Sequence, residues 1–180
     1  MNKLDYIQKV LISEEEIKEI LKDLGQKISK EYKGKEIIVI GILKGSAIFM
    51  SDLIRYIDCD LKIDFMEVSS YADGTETTGR VKVIKDLSNN IAGKNVLVVE
   101  DIIDSGVTLN FLLDFIKAKN PNSLKLCTFL DKPSRRQVKV NIDFIGKVIE
   151  DNYVIGYGFD YQQYFRNLRY VGVLKKEVYS

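Results

Sequence analysis

The chain has 180 residues, 46% of them hydrophobic and 29% charged, which fits one domain with a substantial core and excludes a disordered chain. Its 27 basic residues nearly balance 26 acidic ones, which argues against a dedicated nucleic-acid binder. There is no histidine, so Ser-His-Asp and Cys-His nucleophile systems and imidazole metal motifs are excluded. Acid–base chemistry falls to Asp, Glu, Lys, Tyr or Cys, and any metal falls to oxygen ligands, which suits magnesium.

In chain order, "SEEEIKEILKDLGQKISKEY" opens with Ser13 and Glu16 in capping-box register and carries Ile17, Ile20, Leu21, Leu24 and Ile28 at helical spacing. "EIIVIGIL", 36–43, reads as a buried strand, 46–57 as a helix and 61–68 as the next strand. The stretch "SSYADGTETTGR", 69–80, is polar and aperiodic, and reads as a loop; "VKVI", 81–84, resumes a strand. "NVLVV", 95–99, is a buried strand, 109–119 a helix and 124–130 a further central strand. The segments "DFIGKVI", "YVIGYG" and "YVGVL" supply short strands between aromatic loops. Cys59 and Cys127 lie far apart and suggest reduced thiols. No signal-like segment stands at the start, and the longest apolar run is too short for a bilayer, so a cytoplasmic location is expected.

Apolar strands alternating with helices predict an α/β fold with a largely parallel central sheet flanked by helices. Ligands in such sheets bind beyond the carboxyl ends of the strands. "VLVVEDIIDSGVTL", Val96 to Leu109, lies there. Its Asp-Ser-Gly-Val-Thr run leads into a helix, whose first N–H groups and dipole favour an anion. Gly106 allows close approach, and Ser105 and Thr108 add hydroxyl donors. An ordinary capped turn has the same composition. Glu100 and Asp101 follow a buried run, so they need a cation or hydroxyl groups to offset desolvation. Asp104 is free to act as a base. Acids beside an anion cup point to a ribose phosphate.

These residues resemble the signature for 5-phosphoribosyl 1-pyrophosphate (PRPP) in type I phosphoribosyltransferases. "GILKGSAIF", "SSYADGTETTG", "LDKPSRR" and "DNYVIGYGFDYQQYFRNL" are similar, in the same order, to hypoxanthine-guanine phosphoribosyltransferases. The resemblance implies transfer of phosphoribosyl to N9 of a 6-oxopurine with release of pyrophosphate, and a dependence on Mg2+. By match, Glu100 and Asp101 would hold the ribose hydroxyls, one of them through a magnesium ion, and Asp160 would be a second magnesium ligand. Ser105, Gly106, Val107 and Thr108 would cup the 5′-phosphate, and Asp104 would take the N7 proton. Lys44 and Gly45 would grip pyrophosphate after a cis Leu43–Lys44 bond, with Arg166 as a further contact. Lys132 would read the 6-oxo group. Tyr153 and Ile102 would cover the two faces of the purine, and Val154 would meet its C2 edge. Ser70 and Tyr71 would sit in a mobile closing loop, 69–80. Residues 143–180 would form a purine-binding hood within a single domain spanning 1–180, alongside N-terminal segments. A homodimer or homotetramer is implied. A PRPP-sensing regulator that binds RNA or DNA on the same fold is the competing reading; it would call for a basic face.

Overall fold

The computed structural model describes residues 6–73 and 76–179, with side chains from 70 to 80 outside that description. The elements are β1 (Ile7–Ile12), α1 (Glu14–Glu31), β2 (Ile37–Leu43), α2 (Ser46–Leu53), β3 (Leu61–Asp73), β4 (Glu76–Lys85), β5 (Asn95–Ile103), α3 (Val107–Lys117), β6 (Ser123–Asp131), β7 (Phe144–Val148), β8 (Val154–Ile155), β9 (Val171–Leu174) and α4 (Lys176–Tyr179). Six strands form the main sheet in the order β4-β3-β2-β5-β6-β7. All its pairs are parallel except β3 with β4.

Period-two alternation sorts the sheet's side chains onto two covered faces. Ile37, Val39, Leu97, Val99, Cys127 and Phe129 share one buried cluster with residues of α1 and α2. Ile38, Ile40, Ile42, Val96, Val98 and Leu126 share the other with α3. The α1 capping box forms as its sequence requires: Glu16 N donates to Ser13 Oγ at 3.2 Å, and Ser13 N donates to Glu16 Oε2 at 2.9 Å. No described helix is long and apolar enough to cross a membrane.

The chain winds outward in opposite directions from the central pair: β2 leads through α2 to β3, and β5 leads through α3 to β6. The crevice beyond the carboxyl ends of β2 and β5 is therefore the switch point of the sheet. The two strands pair only as far as Gly41↔Val99, whereas β5 continues beside β6 to Ile103↔Asp131. Glu100 and Asp101 thus lie inside β5 and not at its tip, because β6 still supplies a ladder partner.

Two sequence expectations change here. The described part of 69–80 is not irregular: β3 runs to Asp73, and β4 starts at Glu76, pairing antiparallel through Ser70↔Val81 and Asp73↔Glu76. The polar, aperiodic sequence gives no period-two signal there, although Val68 and Val83, nearer the base of the two strands, pack on the core. Buried Asp64 ties down that base, accepting from Ser88 N at 2.8 Å, Asn89 N at 2.9 Å and Asn89 Nδ2 at 3.0 Å. The 143–180 segment is also not one unit. β7 edges the main sheet, while β8 and β9 join β1 in a separate antiparallel sheet ordered β1-β9-β8.

Candidate active site

The turn after β5 is shaped by what holds its carbonyls. Ile103 O accepts from Lys132 N at 3.0 Å, Asp104 O from Arg136 Nε at 3.0 Å, and Ser105 O from Gln137 N at 2.9 Å and Val138 N at 3.1 Å. Residues 132–138 thus wrap one side of the turn. Gly106 then caps α3 at φ 82°, where a Cβ would stand 2.9 Å from Val138 O. The first N–H groups of α3 have no partner within the helix. A cavity of about 250 Å³ opens here, lined by Glu100, Ile102, Asp104, Ser105, Gly106 and Thr108 among others. Val107 is the first residue of α3, and its N–H faces Ser105 Oγ at 3.4 Å.

The adjacent acids on β5 are strained by desolvation. Burial, and then the charge of Asp101, push the Glu100 carboxyl well above the usual carboxylate range. Burial also raises Asp101, against the opposing hydrogen bond from Glu100 and the attraction of Arg166. A carboxyl raised in this way stabilises the fold below the unfolded carboxylate range, and that contribution is lost as pH rises through the folded value. Glu100→Gln should therefore raise the melting temperature of the ligand-free protein at pH 8 by about 2–4 °C for each kcal/mol relieved. The gain should shrink as the solution is acidified in a thermal-shift series; a gain that grows at low pH would contradict this account.

Gly45 fits directly against this pair: a Cβ there would stand 1.7 Å from Asp101 Oδ2. On its other side Gly158, at φ 101°, packs so closely that a Cβ would stand 2.3 Å from Gly45 O. The Leu43–Lys44 bond is cis, as expected, and Lys44 is exposed. Arg166 Nη1 donates to Gly158 O at 2.7 Å, and Arg166 Nη2 pairs with Asp160 Oδ1 at 2.7 Å. Asp160 Oδ2 accepts from Gln163 N at 2.8 Å.

Among the described residues no group of three or more Asp, Glu or Cys side chains gathers to hold a metal alone. The donor set that exists, two desolvated carboxyls at a cavity, fits a magnesium ion that completes its shell with water and substrate oxygens.

A second cavity, about 260 Å³, is lined by Asp101, Ile102, Asp104, Lys132, Arg135, Tyr153, Val154, Phe159 and Asp160. Lys132 is only 6% exposed, with Asp151 Oδ1 at 3.6 Å from its Nζ. A lysine this deep needs a carboxylate or a ligand oxygen beside it. Tyr153 is 39% exposed and packs edge-on against Tyr161 and tilted against Tyr179, with centroids 5.9 and 5.0 Å apart.

Most of the residues singled out from the sequence therefore converge. Ile102 and Asp104 line both cavities, and Gly45 touches Asp101. Arg166 lines neither cavity; it braces Gly158 and Asp160 from behind. The side chains of Ser70 and Tyr71 lie outside the described residues. Sequence reasoning missed Phe159, Asp151 and the Arg135–Arg136 doublet. The doublet follows Lys132 closely in "LDKPSRR"; Arg136 pairs with Asp131 of that same segment, but the Arg135 partners Asp104 and Asp151 come from other segments, and no local spacing reveals those pairings.

Comparison with known proteins agrees with this geometry. The phosphoribosyl transferase domain family matches residues 10–163. A hypoxanthine-guanine phosphoribosyltransferase from Staphylococcus aureus is 51% identical over 174 residues, covering 97% of each chain. A crystal structure of a hypoxanthine phosphoribosyltransferase from Staphylococcus aureus is similar over 100% of this chain and 99% of that one, with a TM-score of 0.95 and 49% identity. One of a hypoxanthine-guanine phosphoribosyltransferase from Bacillus anthracis gives 0.90 at 49% identity, over 94% of this chain and 99% of that one. With a six-stranded, mostly parallel sheet and both cavities at the carboxyl end of β5, the chain belongs to the phosphoribosyltransferase family, in its hypoxanthine-guanine branch.

Proposed function

We infer that the protein transfers the 5-phosphoribosyl group of PRPP to N9 of hypoxanthine or guanine, giving IMP or GMP and pyrophosphate in purine salvage. The observation that carries this reading is the shared wall: Asp104 and Ile102 line both the cavity behind the anion turn and the cavity holding Lys132. A group on that wall reaches a ribose phosphate on one side and a base on the other.

The 5′-phosphate sits on the N–H groups and hydroxyls of Ser105 to Thr108, where the helix dipole favours it. Glu100 and Asp101 take the ribose hydroxyls. The base lies between Tyr153 and Ile102, with Val154 at its C2 edge and the Lys132 ammonium at O6. As N9 bonds to C1′, the proton on N7 passes to Asp104, and pyrophosphate leaves toward Lys44 and Arg166. Glu100, Asp101 and Asp160 would hold magnesium, which would supply charge neutralisation to the pyrophosphate as it leaves. The hairpin bearing Ser70 and Tyr71 closes over the site and keeps water from the cationic transition state. The enzyme works in the cytoplasm as a homodimer or homotetramer.

The regulatory alternative has no support from charge, which is +1 overall. The test is a spectrophotometric assay with PRPP, magnesium and hypoxanthine, guanine, xanthine or adenine. Turnover is expected with hypoxanthine and guanine and not with adenine, whose amine offers Lys132 no acceptor. Lys132→Ala should lower kcat/KM for the two oxopurines by about ten- to hundredfold, as loss of a charged hydrogen bond does. Wild-type rates in that variant would show that O6 is read elsewhere.

A further inference from the structure

Both arginines of the doublet close on Asp104, and they do so differently. Arg136 is largely buried; its guanidinium is committed to the Asp131 carboxylate and to the carbonyls of Asp104 and Ile103. Arg135 is 54% exposed and reaches the Asp104 carboxylate instead, with Nε 3.2 Å from Oδ1. That oxygen is shielded from water and makes no hydrogen bond among the described residues, so the ion pair is what faces it. Arg135 Nη1 also lies 3.5 Å from Asp151 Oδ1, the same oxygen that stands 3.6 Å from Lys132 Nζ. A chain of alternating charges, Asp104–Arg135–Asp151–Lys132, runs along the rim of the second cavity.

N7 and O6 are neighbours on one edge of an oxopurine. A base for N7 and a donor for O6 must therefore keep a set separation, and a rigid planar fork between two carboxylates supplies one. We propose that Arg135 is a positioning residue that yokes the proton-accepting Asp104 to the oxo-reading Lys132 through Asp151. This rests on the proposed transferase reading. Arg135 acts through Asp104: it fixes the direction in which that carboxylate is presented.

The test is a double-mutant cycle in the full-length protein with PRPP, magnesium and hypoxanthine. Arg135→Gln is expected to lower kcat by about three- to tenfold, the scale of coupling between residues in one charged network. KM for PRPP and the melting temperature should hold, because Arg135 is half exposed and its partners, Asp104, Asp151 and Lys132 O, lie outside Ser105 to Thr108. Arg135→Lys should recover part of the loss. Asp151→Asn combined with Arg135→Gln should lose no more than the larger single effect, and Arg135→Gln should cost nothing further in an Asp104→Asn background. Wild-type kcat and hypoxanthine KM in Arg135→Gln would overturn the proposal. So would losses that simply multiply in either cycle. Full activity in Asp104→Asn alone would instead overturn the transferase assignment of Asp104, so the two failures are distinguishable.

Discussion

Asp104→Asn lowers turnover by about 10²- to 10⁴-fold, the usual contribution of a general base, while PRPP with magnesium still binds. The substitution keeps the shape of the side chain and leaves its backbone carbonyl on Arg136 Nε. The anion turn depends on carbonyls held by Lys132 N, Gln137 N and Val138 N, none of which involves the Asp104 carboxylate. Phosphate binding therefore has no reason to fail. What is lost is the negative charge: acceptance of the N7 proton, and with it the ion pair to Arg135. Titration calorimetry with PRPP and magnesium, beside steady-state rates with hypoxanthine, separates the two effects. Turnover equal to wild type would remove Asp104 from its role, and lost PRPP binding would show that the carboxylate holds the turn together.

Gly45→Ala is the second large effect, and it comes from one methyl group. The added Cβ would overlap the Asp101 carboxylate, with Oδ2 at 1.7 Å and Cγ at 2.5 Å. Asp101 cannot give way freely, because its Oδ1 accepts from Ile102 N at 2.8 Å. Nor can Gly45 retreat, since its carbonyl lies against Gly158. Either the carboxylate turns away from the ribose or the pyrophosphate loop shifts. A misplacement of about 1 Å near the reacting atoms can cost 10²-fold. We expect kcat/KM for PRPP to fall by at least that factor, with a smaller change in purine binding measured by product inhibition. A variant with wild-type kcat/KM for PRPP would show that the loop and Asp101 move independently in solution.

The sequence made the main sheet legible because its strands obey simple rules. Ile37–Leu43 and Val96–Val99 are uninterrupted apolar runs, and a parallel strand covered on both faces reads that way. The anion turn was legible for a similar reason: its small and hydroxylated residues are contiguous. β1 was not legible. It is only partly buried, and it is defined by pairing with β9 from the far end of the chain. Only the far ends of β3 and β4 were hidden, because 69–80 carries no hydrophobic alternation; Met66, Val68 and Val83 nearer the base belong to or pack on the core. The extension of β5 through Glu100 and Asp101 ran against the usual sign of charge, since carboxylates within a strand look like its end. The Arg135–Asp151 pair joins surface residues whose meeting depends on the route of the whole β6–β8 connection.

The small sheet joins strands from opposite ends of the described chain, with β9 lying between β1 and β8. A ribosome extrudes β1 early and β9 late, so β1 must wait unpaired while the six-stranded body assembles. The small sheet beside the base therefore closes only when its last strand has been made. Truncations that stop short of Val171 should remove both the strand that joins β1 to β8 and a side chain of the core shared with α1 and the main sheet, so the two sheets lose stability together.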